Sequence, residues 1–410
     1  MRILLIVPVV TWPIASGGDQ RTFAVLRALA AEHDVVLTGL LPKGETDEDS
    51  KLLTRECERA LAPFTKAIIW APQPDALEHE PVTSSRIMRA MMTAWNLVMN
   101  PIPLVYRARF SAWSRLVTER ASEFDAVVVR GTALAHVAAG VPGHRVILDA
   151  DDQSYMFLSQ RAELYSGLFR FSMVLEVART KRYEFSAFAR VRRVLVANAE
   201  DAARLRRANV SILSNGVTLD GVPSVQRGTK TLVYVGHFGW LPNLEGLWWF
   251  LDHVWSDVLL TVPDARLNVV GRKATSDIAG DRPLVGLHFE ADVPEVGSWF
   301  AGAVASIVPL WEGSGTRIKI IESLGYCTPV ISTPIGAAGL TSDFDESDGL
   351  FIAQNKEQMI EKILDVLRNP HLAAQAAQLG SKKVRSRWTW QARTETLASQ
   401  ITDLIATVSA

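Results

Sequence analysis

The chain repeats one local pattern along most of its length: a short apolar run, a loop that contains glycine, and an amphipathic helix. One series of these units begins with the apolar run 2–10, and a second series begins at 231–235. Short apolar runs that alternate with helices predict parallel sheets covered by helices on both faces. A chain of 410 residues also exceeds the size at which a single core usually stops growing. We therefore expect an α/β protein with two doubly wound, Rossmann-like domains that face each other across a cleft.

The polar stretch 218–229 separates the two series. It contains two glycines and a proline and shows no periodicity, which is typical of a linker. We predict an N-terminal domain at 1–217 and a C-terminal domain at 230–387. The last segment, 388–410, is predicted to be a helix, and one arrangement packs it back on the N-terminal domain.

Composition narrows the class of protein. A formal net charge of −1 argues against a nucleic-acid partner. Cys57 and Cys327 lie far apart without metal-ligand spacing, which favours a reducing compartment, and we expect a cytoplasmic protein. The N-terminus resembles a signal peptide, but Pro8 interrupts its apolar run, and we expect a buried strand there instead. No other run approaches the roughly 20 apolar residues of a membrane span.

A basic segment between Arg86 and Arg130 contains seven arginines, interleaved with methionine and tryptophan. Such a surface could rest on an anionic membrane or hold a lipid-linked acceptor. The other interpretation is a helical insertion whose methionines and tryptophans fill the core while its arginines are solvated. Both interpretations stay open, and under the first one the chain would contact the inner face of a membrane through 86–120.

The most specific motif follows the apolar run 305–310 and reads EGSGTRIKIIE, residues 312–322. Ligands of open parallel sheets bind outside the carboxyl ends of the strands. Glycines there let backbone N–H groups converge on an anion, and the helix that follows adds a favourable dipole. Arg317 and Lys319 could neutralise a diphosphate, and Glu322 could accept hydrogen bonds from ribose hydroxyls. The alternative is that Arg317 and Glu322 pair on a surface helix.

Two other groups of residues follow strands of the first series. Asp149, Asp151 and Asp152 match a D-x-D pattern, whose paired carboxylates can hold a divalent ion. Because these aspartates lie in the other predicted domain from the motif 312–322, we expect them to bind an acceptor or to cap a helix instead. Arg130 ends the preceding predicted strand and is a similar candidate. His136 lies on an apolar helix, where a core histidine and a catalytic one both fit.

Several segments together resemble one enzyme family. Residues 308–340, VPLWEGSGTRIKIIESLGYCTPVISTPIGAAGL, resemble the nucleotide-sugar-binding segment of GT-B-fold glycosyltransferases of family 4, in the branch with the motif G-x-G-T-R-x-K-x-x-E. Weaker similarity, in the same order along the chain, comes from GGDQR at 17–21, VLVANAEDAARL at 194–205, SNGV at 214–217 and GHFGWLPNLEGLWWF at 236–250.

The resemblance implies a retaining glycosyltransferase that needs neither metal nor cofactor. Its donor would be a nucleoside-diphosphate sugar, and its acceptor a glycan, a lipid-linked molecule or a small molecule in polysaccharide, glycolipid or other glycoconjugate synthesis. The implied donor-binding residues are Gly17, Gly18, Gly236, His237, Gly313, Ser314, Gly315, Thr316, Arg317, Lys319 and Glu322. The implied catalytic residues are Arg317, Lys319, Glu312 and His136. The residues expected on the acceptor side are Asp19, Arg21, Arg130, Asp151 and Asp152.

The sequence departs from the family pattern at two places. Commoner members carry E-x7-E, whereas here Ser314 stands eight positions before Glu322 and Glu312 ten before it. The arginine and lysine that usually bind donor phosphates are absent from 236–245, so Arg317 and Lys319 would supply that charge. These departures keep open a catalytically silent protein that binds a nucleotide sugar or scaffolds glycan assembly.

Other enzymes of similar architecture are less compatible with the sequence. A phosphorylase would need a lysine in a pyridoxal-phosphate context, and none is recognisable; an epimerase that acts on a nucleotide sugar stays an alternative. A dehydrogenase with paired Rossmann domains would carry G-x-G-x-x-G after a leading strand, which this chain does not have.

Overall fold

The computed structural model describes residues 1–12, 14, 17–42, 46–72, 110–219, 221, 230–313 and 315–409. These form two compact units, one made of Met1–Ser214 and Thr394–Ala410, the other of Asn215–Arg393. Most of the predicted linker 218–229 lies outside the described residues, as do 86–109 of the basic segment.

A seven-stranded parallel sheet, in the order β3-β2-β1-β4-β5-β6-β7, forms the centre of the first unit. Strand β1 is an inner strand of this sheet, and Ile3 to Val7 is buried on both faces, as expected of such a strand in a parallel sheet. The strands are β1 (Arg2–Val9), β2 (Asp34–Leu40), β3 (Ala67–Trp70), β4 (Ala126–Arg130), β5 (Val146–Asp149), β6 (Arg193–Val196) and β7 (Val210–Ile212).

Helices cover this sheet. They are α1 (Gly17–Ala30), α2 (Asp47–Leu61), α3 (Ser111–Glu119), α4 (Ser154–Glu163), α5 (Gly167–Arg190) and α6 (Ala199–Leu205). The glycine-containing loop expected after the apolar run 2–10 does not include Gly17 and Gly18, because α1 begins at Gly17. The carboxylate of Asp19 stands in the first turn, where it interacts favourably with the positive end of the helix dipole.

The described part of the basic segment, 110–130, is packed into the first unit. Trp113 is fully buried in the core and its Nε1 donates to Thr38 Oγ1 over 3.0 Å. Arg120 pairs with Glu123, with its Nε 2.7 Å from Glu123 Oε1. This part of the chain therefore follows the second interpretation, in which the aromatic residues fill the core. The proposed membrane contact of 86–109 lies outside the described residues.

The second unit contains a six-stranded parallel sheet in the order β10-β9-β8-β11-β12-β13. Its strands are β8 (Thr231–Val235), β9 (Arg266–Gly271), β10 (Leu287–Ala291), β11 (Ala305–Val308), β12 (Val330–Ser332) and β13 (Leu350–Ile352). Its helices are α7 (Leu241–Phe250), which continues through a π turn (Leu251–Trp255) into α8 (Ser256–Thr261), then α9 (Gly297–Gly302), α10 (Ile318–Gly325), α11 (Lys356–Arg368) and α12 (Pro370–Arg387). The last helix, α13 (Trp390–Ser409), begins in this unit, and its residues from Thr394 onward belong to the first unit.

Both sheets have the doubly wound strand order, and this confirms the prediction of two Rossmann-like domains. In the first sheet the order reverses between β1 and β4, and in the second between β8 and β11. The loops that follow these four strands therefore lie where such sheets bind ligands. Among the described residues, no helix is long and apolar enough to cross a membrane.

Candidate functional site

The loops after β8 and β11 meet at the point where the strand order of the second sheet reverses. The two strands are neighbours, with Ala305 beside Leu232 and Ser306 beside Val233. The first loop carries Gly236 and His237, and the second leads through Gly313 to Arg317 and the start of α10. The topology thus brings two motifs together that are more than 70 residues apart in the chain.

Arg317 is enclosed where the second loop ends. The side chain is 7% exposed, and its Cζ lies 5.8 Å from the ring centroid of Trp240, a cation–π arrangement. Gly313 has a φ of +132°, and a β-carbon there would collide with Arg317 Nη2. Gly315 has a φ of +75°, in the left-handed region that favours glycine. Both glycines of the motif therefore have backbone conformations that favour glycine, and Gly313 lies directly against the guanidinium.

Lys319 joins the two loops. Its Nζ donates to Asn243 Oδ1 over 2.7 Å and lies 5.1 Å from the ring centroid of Tyr234. Asn243 in turn donates through Nδ2 to the carbonyl of His237 over 3.0 Å, and Tyr234 donates its hydroxyl to the carbonyl of Asn243 over 2.8 Å. The ammonium is thus held by an amide and an aromatic ring at the end of β8.

Enclosure changes the acid–base properties of this region. Burial, followed by the positive charge of Arg317, lowers the pKa of Lys319 to about 7, although the nearby Glu322 opposes the shift. Burial also lowers the pKa of His237, and the charges of Arg272 and Lys273 add to that effect. An anion placed here would reverse these shifts, because it would stabilise the charged form of each group.

Arg272 and Lys273 were not predicted from the sequence. They follow β9 directly and are exposed. A β-carbon at Gly239 would lie 3.2 Å from Lys273 Cδ and 3.0 Å from His237 Nε2, so this lysine lies against the loop after β8. The signal that could have found them is their position immediately after Gly271, the glycine that ends an expected strand.

The remaining donor-binding residues predicted in the second unit lie in or beside the loops after β8 and β11. Gly17 and Gly18, predicted with them, begin α1 in the first unit. Glu312 and Thr316 are buried, and Glu322 is half-buried on α10, close enough to influence the pKa of Lys319. Gly236 packs against the side chains of Lys319 and Asn243. A β-carbon at this glycine would lie 3.3 Å from Lys319 Nζ and 3.1 Å from Asn243 Nδ2. Ser314 lies outside the described residues.

In the first unit, Arg21 does not lie where it could touch an acceptor. The side chain is 0% exposed, and its Nε and Nη2 donate to Asp149 at distances of 2.6–3.2 Å. Its Nη1 donates to the carbonyl of Leu213 over 2.6 Å. The assignment of Arg21 to the acceptor side is therefore corrected: it is an internal counter-ion that ties α1 to β5 and to the residue after β7.

A second ion pair stands beside the first. Arg130 is buried at the end of β4, and its Nη1 and Nη2 donate to the two carboxylate oxygens of Asp151 over 2.5 and 2.9 Å. Its Nη2 also lies 3.5 Å from the carbonyl of Gly18, near the start of α1. Burial raises the pKa of the Asp151 carboxyl, but the charges of Arg130 and Arg21 outweigh burial and hold that pKa well below its usual range.

The D-x-D aspartates are thus engaged by arginines. Asp149 is paired with Arg21 and Asp151 with Arg130, so neither presents a free carboxylate to a cation. Within the described ranges, no group of three or more histidine, cysteine or acidic side chains has a geometry that could hold a metal ion. The other acidic candidates differ: Asp152 is exposed after β5, and Asp19 accepts from Thr11 Oγ1 over 3.1 Å.

His136 lies on a 3-10 segment, Thr132–Ala138, rather than on the α-helix expected there. The ring is half-buried and stacks on Phe110 with centroids 5.9 Å apart. Its Nδ1 lies 2.9 Å from the carbonyl of Ala133. These contacts describe a well-packed histidine near the end of β4; the catalytic assignment stays a prediction.

Residues 229–369, which contain the cluster around Lys319, match the family model described as glycosyl transferases group 1. A protein of Klebsiella pneumoniae, described as an uncharacterized 44.6 kDa protein in the cps region, is 26% identical over 148 residues. That match covers 34% of this chain and 37% of the relative, so it spans little more than a third of the relative's length.

Solved structures resemble the whole chain. S. aureus TarM has a TM-score of 0.66 at 10% identity and covers 98% of both chains. WaaG, described as a glycosyltransferase involved in lipopolysaccharide biosynthesis, has a TM-score of 0.62 at 16% identity over 98% of this chain and 99% of its own. Anabaena HepE in complex with UDP has a TM-score of 0.61 at 12% identity over 99% and 100%.

At these identities the structural likeness shows the fold, which is the GT-B fold. The part of the second unit at 229–369 is similar to the group 1 glycosyltransferases. The predicted GT-B fold is confirmed. The match at 229–369 agrees with the expected class of enzyme, a glycosyltransferase. The assignment to family 4 and to the branch with the G-x-G-T-R-x-K-x-x-E motif stays a prediction.

Proposed function

We propose that the protein is a retaining glycosyltransferase that moves a sugar from a nucleoside-diphosphate sugar to an acceptor hydroxyl without a metal ion. The group 1 domain at 229–369 supports sugar transfer as the reaction class. The HepE neighbour was crystallised with UDP and also with UDP-glucose, which supports a nucleotide sugar as the donor. The description of WaaG, a glycosyltransferase involved in lipopolysaccharide biosynthesis, supports a role in glycan synthesis.

The observation that carries this proposal is the enclosed pair of cations at the start of α10. The guanidinium of Arg317 is buried against Trp240, and the ammonium of Lys319 is held 2.7 Å from an amide oxygen. Keeping two positive charges this close in a water-poor place lowers the pKa of the lysine, and an anion is the partner that would offset that cost. A diphosphate has the right charge for this place.

The same arrangement explains how transfer could be accelerated. As the bond between sugar and phosphate breaks, negative charge grows on the leaving diphosphate. Cations and a helix N-terminus that are already in position stabilise that charge more in the transition state than in the ground state. Because Arg317 and Lys319 sit on rigid elements, no reorganisation is needed at the moment of reaction. Retention of configuration follows the resemblance and stays part of the proposal.

Metal independence is supported by the state of the D-x-D aspartates. Both Asp149 and Asp151 are neutralised by arginines, so a divalent ion would have to displace a buried ion pair in order to bind. In our proposal the fixed cations at 317 and 319 take the part that a metal plays in other transferases. Glu312 and His136 are retained as candidate catalytic groups, and acceptor binding is assigned to the first unit.

The experiment that tests the proposal combines binding and turnover in EDTA. A panel of uridine, guanosine and thymidine diphosphate sugars is screened by thermal shift, starting with UDP-glucose. A donor at a hundredfold its dissociation constant should stabilise the protein by about 2.7 kcal/mol. Release of the nucleoside diphosphate, and the anomeric configuration of the product by NMR, are then measured with the donor that binds.

Each outcome of that experiment separates two interpretations. Donor hydrolysis or transfer in EDTA with a retained anomeric centre agrees with the proposal. Tight binding without any turnover on a range of glycan and lipid-linked acceptors would favour the catalytically silent alternative. Activity that is lost in EDTA and restored by a divalent ion would contradict metal independence.

A further inference from the structure

An apolar surface is exposed where α4 ends and α5 begins. We call it the α4–α5 tip and define it as residues 163–175. Ala162 and Glu176 are buried, but no described side chain between them is. Five large apolar side chains of the tip are between 38% and 65% exposed, namely Leu164, Phe169, Phe171, Val174 and Leu175. Phe171, Val174 and Leu175 share one face of α5, at i, i+3 and i+4, and exposed apolar side chains grouped in this way are typical of a binding surface.

The rest of α5 shows why the tip is left uncovered. A buried stripe runs along the helix at four-residue intervals and consists of Glu176, Thr180, Glu184 and Phe188. Ser154 N donates to Glu184 Oε1 over 2.8 Å, which ties this stripe to the start of α4. The stripe ends at Glu176, so the first nine residues of α5 extend past the packed part of the helix. The tip thus lies at the end of a packed helix and is itself exposed to solvent.

The charges around the tip are mostly positive. Arg170 is exposed among the apolar residues, and Lys181 and Arg182 are exposed on the turns that follow. Lys181 lies ten residues after Phe171, which is about 15 Å along the helix at 1.5 Å per residue. The acidic side chains between 161 and 182 are Glu163 and Glu176, and Glu176 is buried with Arg179 Nη1 3.6 Å from its carboxylate.

From this juxtaposition we propose that the α4–α5 tip inserts into the headgroup region of an anionic lipid bilayer. Burial of phenylalanine, leucine and valine side chains at that depth lowers the free energy. The cations farther along α5 are attracted to the negatively charged lipid surface. A second copy of the chain fits less well, since a symmetric contact would bring Arg170 and Lys181 of the two copies together. The inference does not depend on the proposed sugar transfer.

Vesicle flotation of the full chain tests the proposal. Vesicles of phosphatidylcholine alone are compared with vesicles that contain about 30 mol% phosphatidylglycerol. The wild type should float with the anionic vesicles, and the double variant Phe169→Ser/Phe171→Ser should bind at least about tenfold less, since two exposed aromatic rings lose their apolar contacts. The matched control is Leu372→Ser/Leu379→Ser, which removes two comparably exposed apolar side chains from α12 and should float like the wild type.

A charge variant keeps the test valid if the aromatic variant folds poorly. Arg170→Glu/Lys181→Glu changes exposed side chains only, and should abolish the preference for anionic vesicles. Sedimentation in the absence of lipid gives the oligomeric state. The proposal would be overturned if the wild type did not float with anionic vesicles, or if the α12 control lost as much binding as the aromatic variant. It would also be overturned by a wild-type dimer that Phe169→Ser/Phe171→Ser converts to a monomer, and that result would assign the tip to self-association.

Discussion

The two sheets carry clusters of cations at corresponding places, and the clusters differ in what surrounds them. After β1, β4 and β5, two arginines meet two carboxylates, so Arg21 pairs with Asp149 and Arg130 with Asp151. After β8 and β11, Lys319 meets the amide of Asn243 and lies beside the guanidinium of Arg317. In the first cluster each arginine faces a carboxylate, whereas Lys319 in the second donates to a neutral amide. We propose that the first cluster stabilises its unit and that the second binds an anion.

Removal of Arg21 should have the largest effect on stability. The variant Arg21→Met leaves the carboxylate of Asp149 buried without its main counter-ion, and breaking a buried pair in this way costs about 3–5 kcal/mol. Urea denaturation of the variant and of Arg120→Met, whose partner Glu123 is at the surface, measures the difference. The control should unfold like the wild type. A loss below about 1 kcal/mol for Arg21→Met would show that the first cluster is not a structural ion pair.

Removal of Lys319 should weaken donor binding without lowering stability. The variant Lys319→Met should leave the free energy of unfolding unchanged or higher, because it removes a charge whose burial is unfavourable. Donor affinity should fall by ten- to a hundredfold, corresponding to about 1.5–3 kcal/mol for a charge-assisted hydrogen bond. Calorimetric titration with the nucleotide sugar that binds gives the affinity, with Lys230→Met, at the other end of β8, as the control. Lower stability with unaltered affinity would make Lys319 a structural residue.

The pH dependence of donor binding should be smaller but diagnostic. Because the pKa of Lys319 is about 7 in the free protein and a diphosphate would raise it, binding takes up a proton above pH 7. Affinity should therefore fall as pH rises from about 7 to 8.5, by at most a factor of about ten per pH unit. Titration in two buffers of different ionisation enthalpy counts the protons taken up. The Lys319→Met variant should show no such uptake, and a pH-independent wild type would contradict this interpretation.

The contact between Trp240 and Arg317 should contribute least. The ring is 39% exposed, and a cation–π contact at such a place is worth about 0.5–1 kcal/mol. Trp240→Ala should weaken donor binding about two- to fivefold, whereas Trp240→Phe, which keeps an aromatic ring under the guanidinium, should retain most of the affinity. If both variants bind like the wild type, the ring does not position Arg317.

The sequence was informative wherever the signal is local. The strand Thr231–Val235 has the predicted bounds, because a short apolar run between turn residues leaves little choice. The start of α1 was misplaced, since the two glycines there are equally compatible with a loop. The strand order of each sheet had to come from the structure, although the alternating pattern predicted its class.

The candidate site was predictable in part for a similar reason. Arg317 and Lys319 stand in one compact motif after an apolar run, so a local pattern could reveal them. The burial of Arg21 could not be foreseen, because its partner Asp149 lies 128 residues away in the chain. Arg272 and Lys273 were missed because their only local signal is that they follow a glycine at a strand end.

One measurement tests the central claim most directly: titration of the identified nucleotide sugar into the wild type and into Arg317→Met/Lys319→Met, in EDTA. If the two enclosed cations form the diphosphate site, the wild type should bind without a metal ion. The double variant should then bind at least about a hundredfold more weakly while its free energy of unfolding is retained. Equal affinity of the two proteins for the nucleotide sugar would contradict the account.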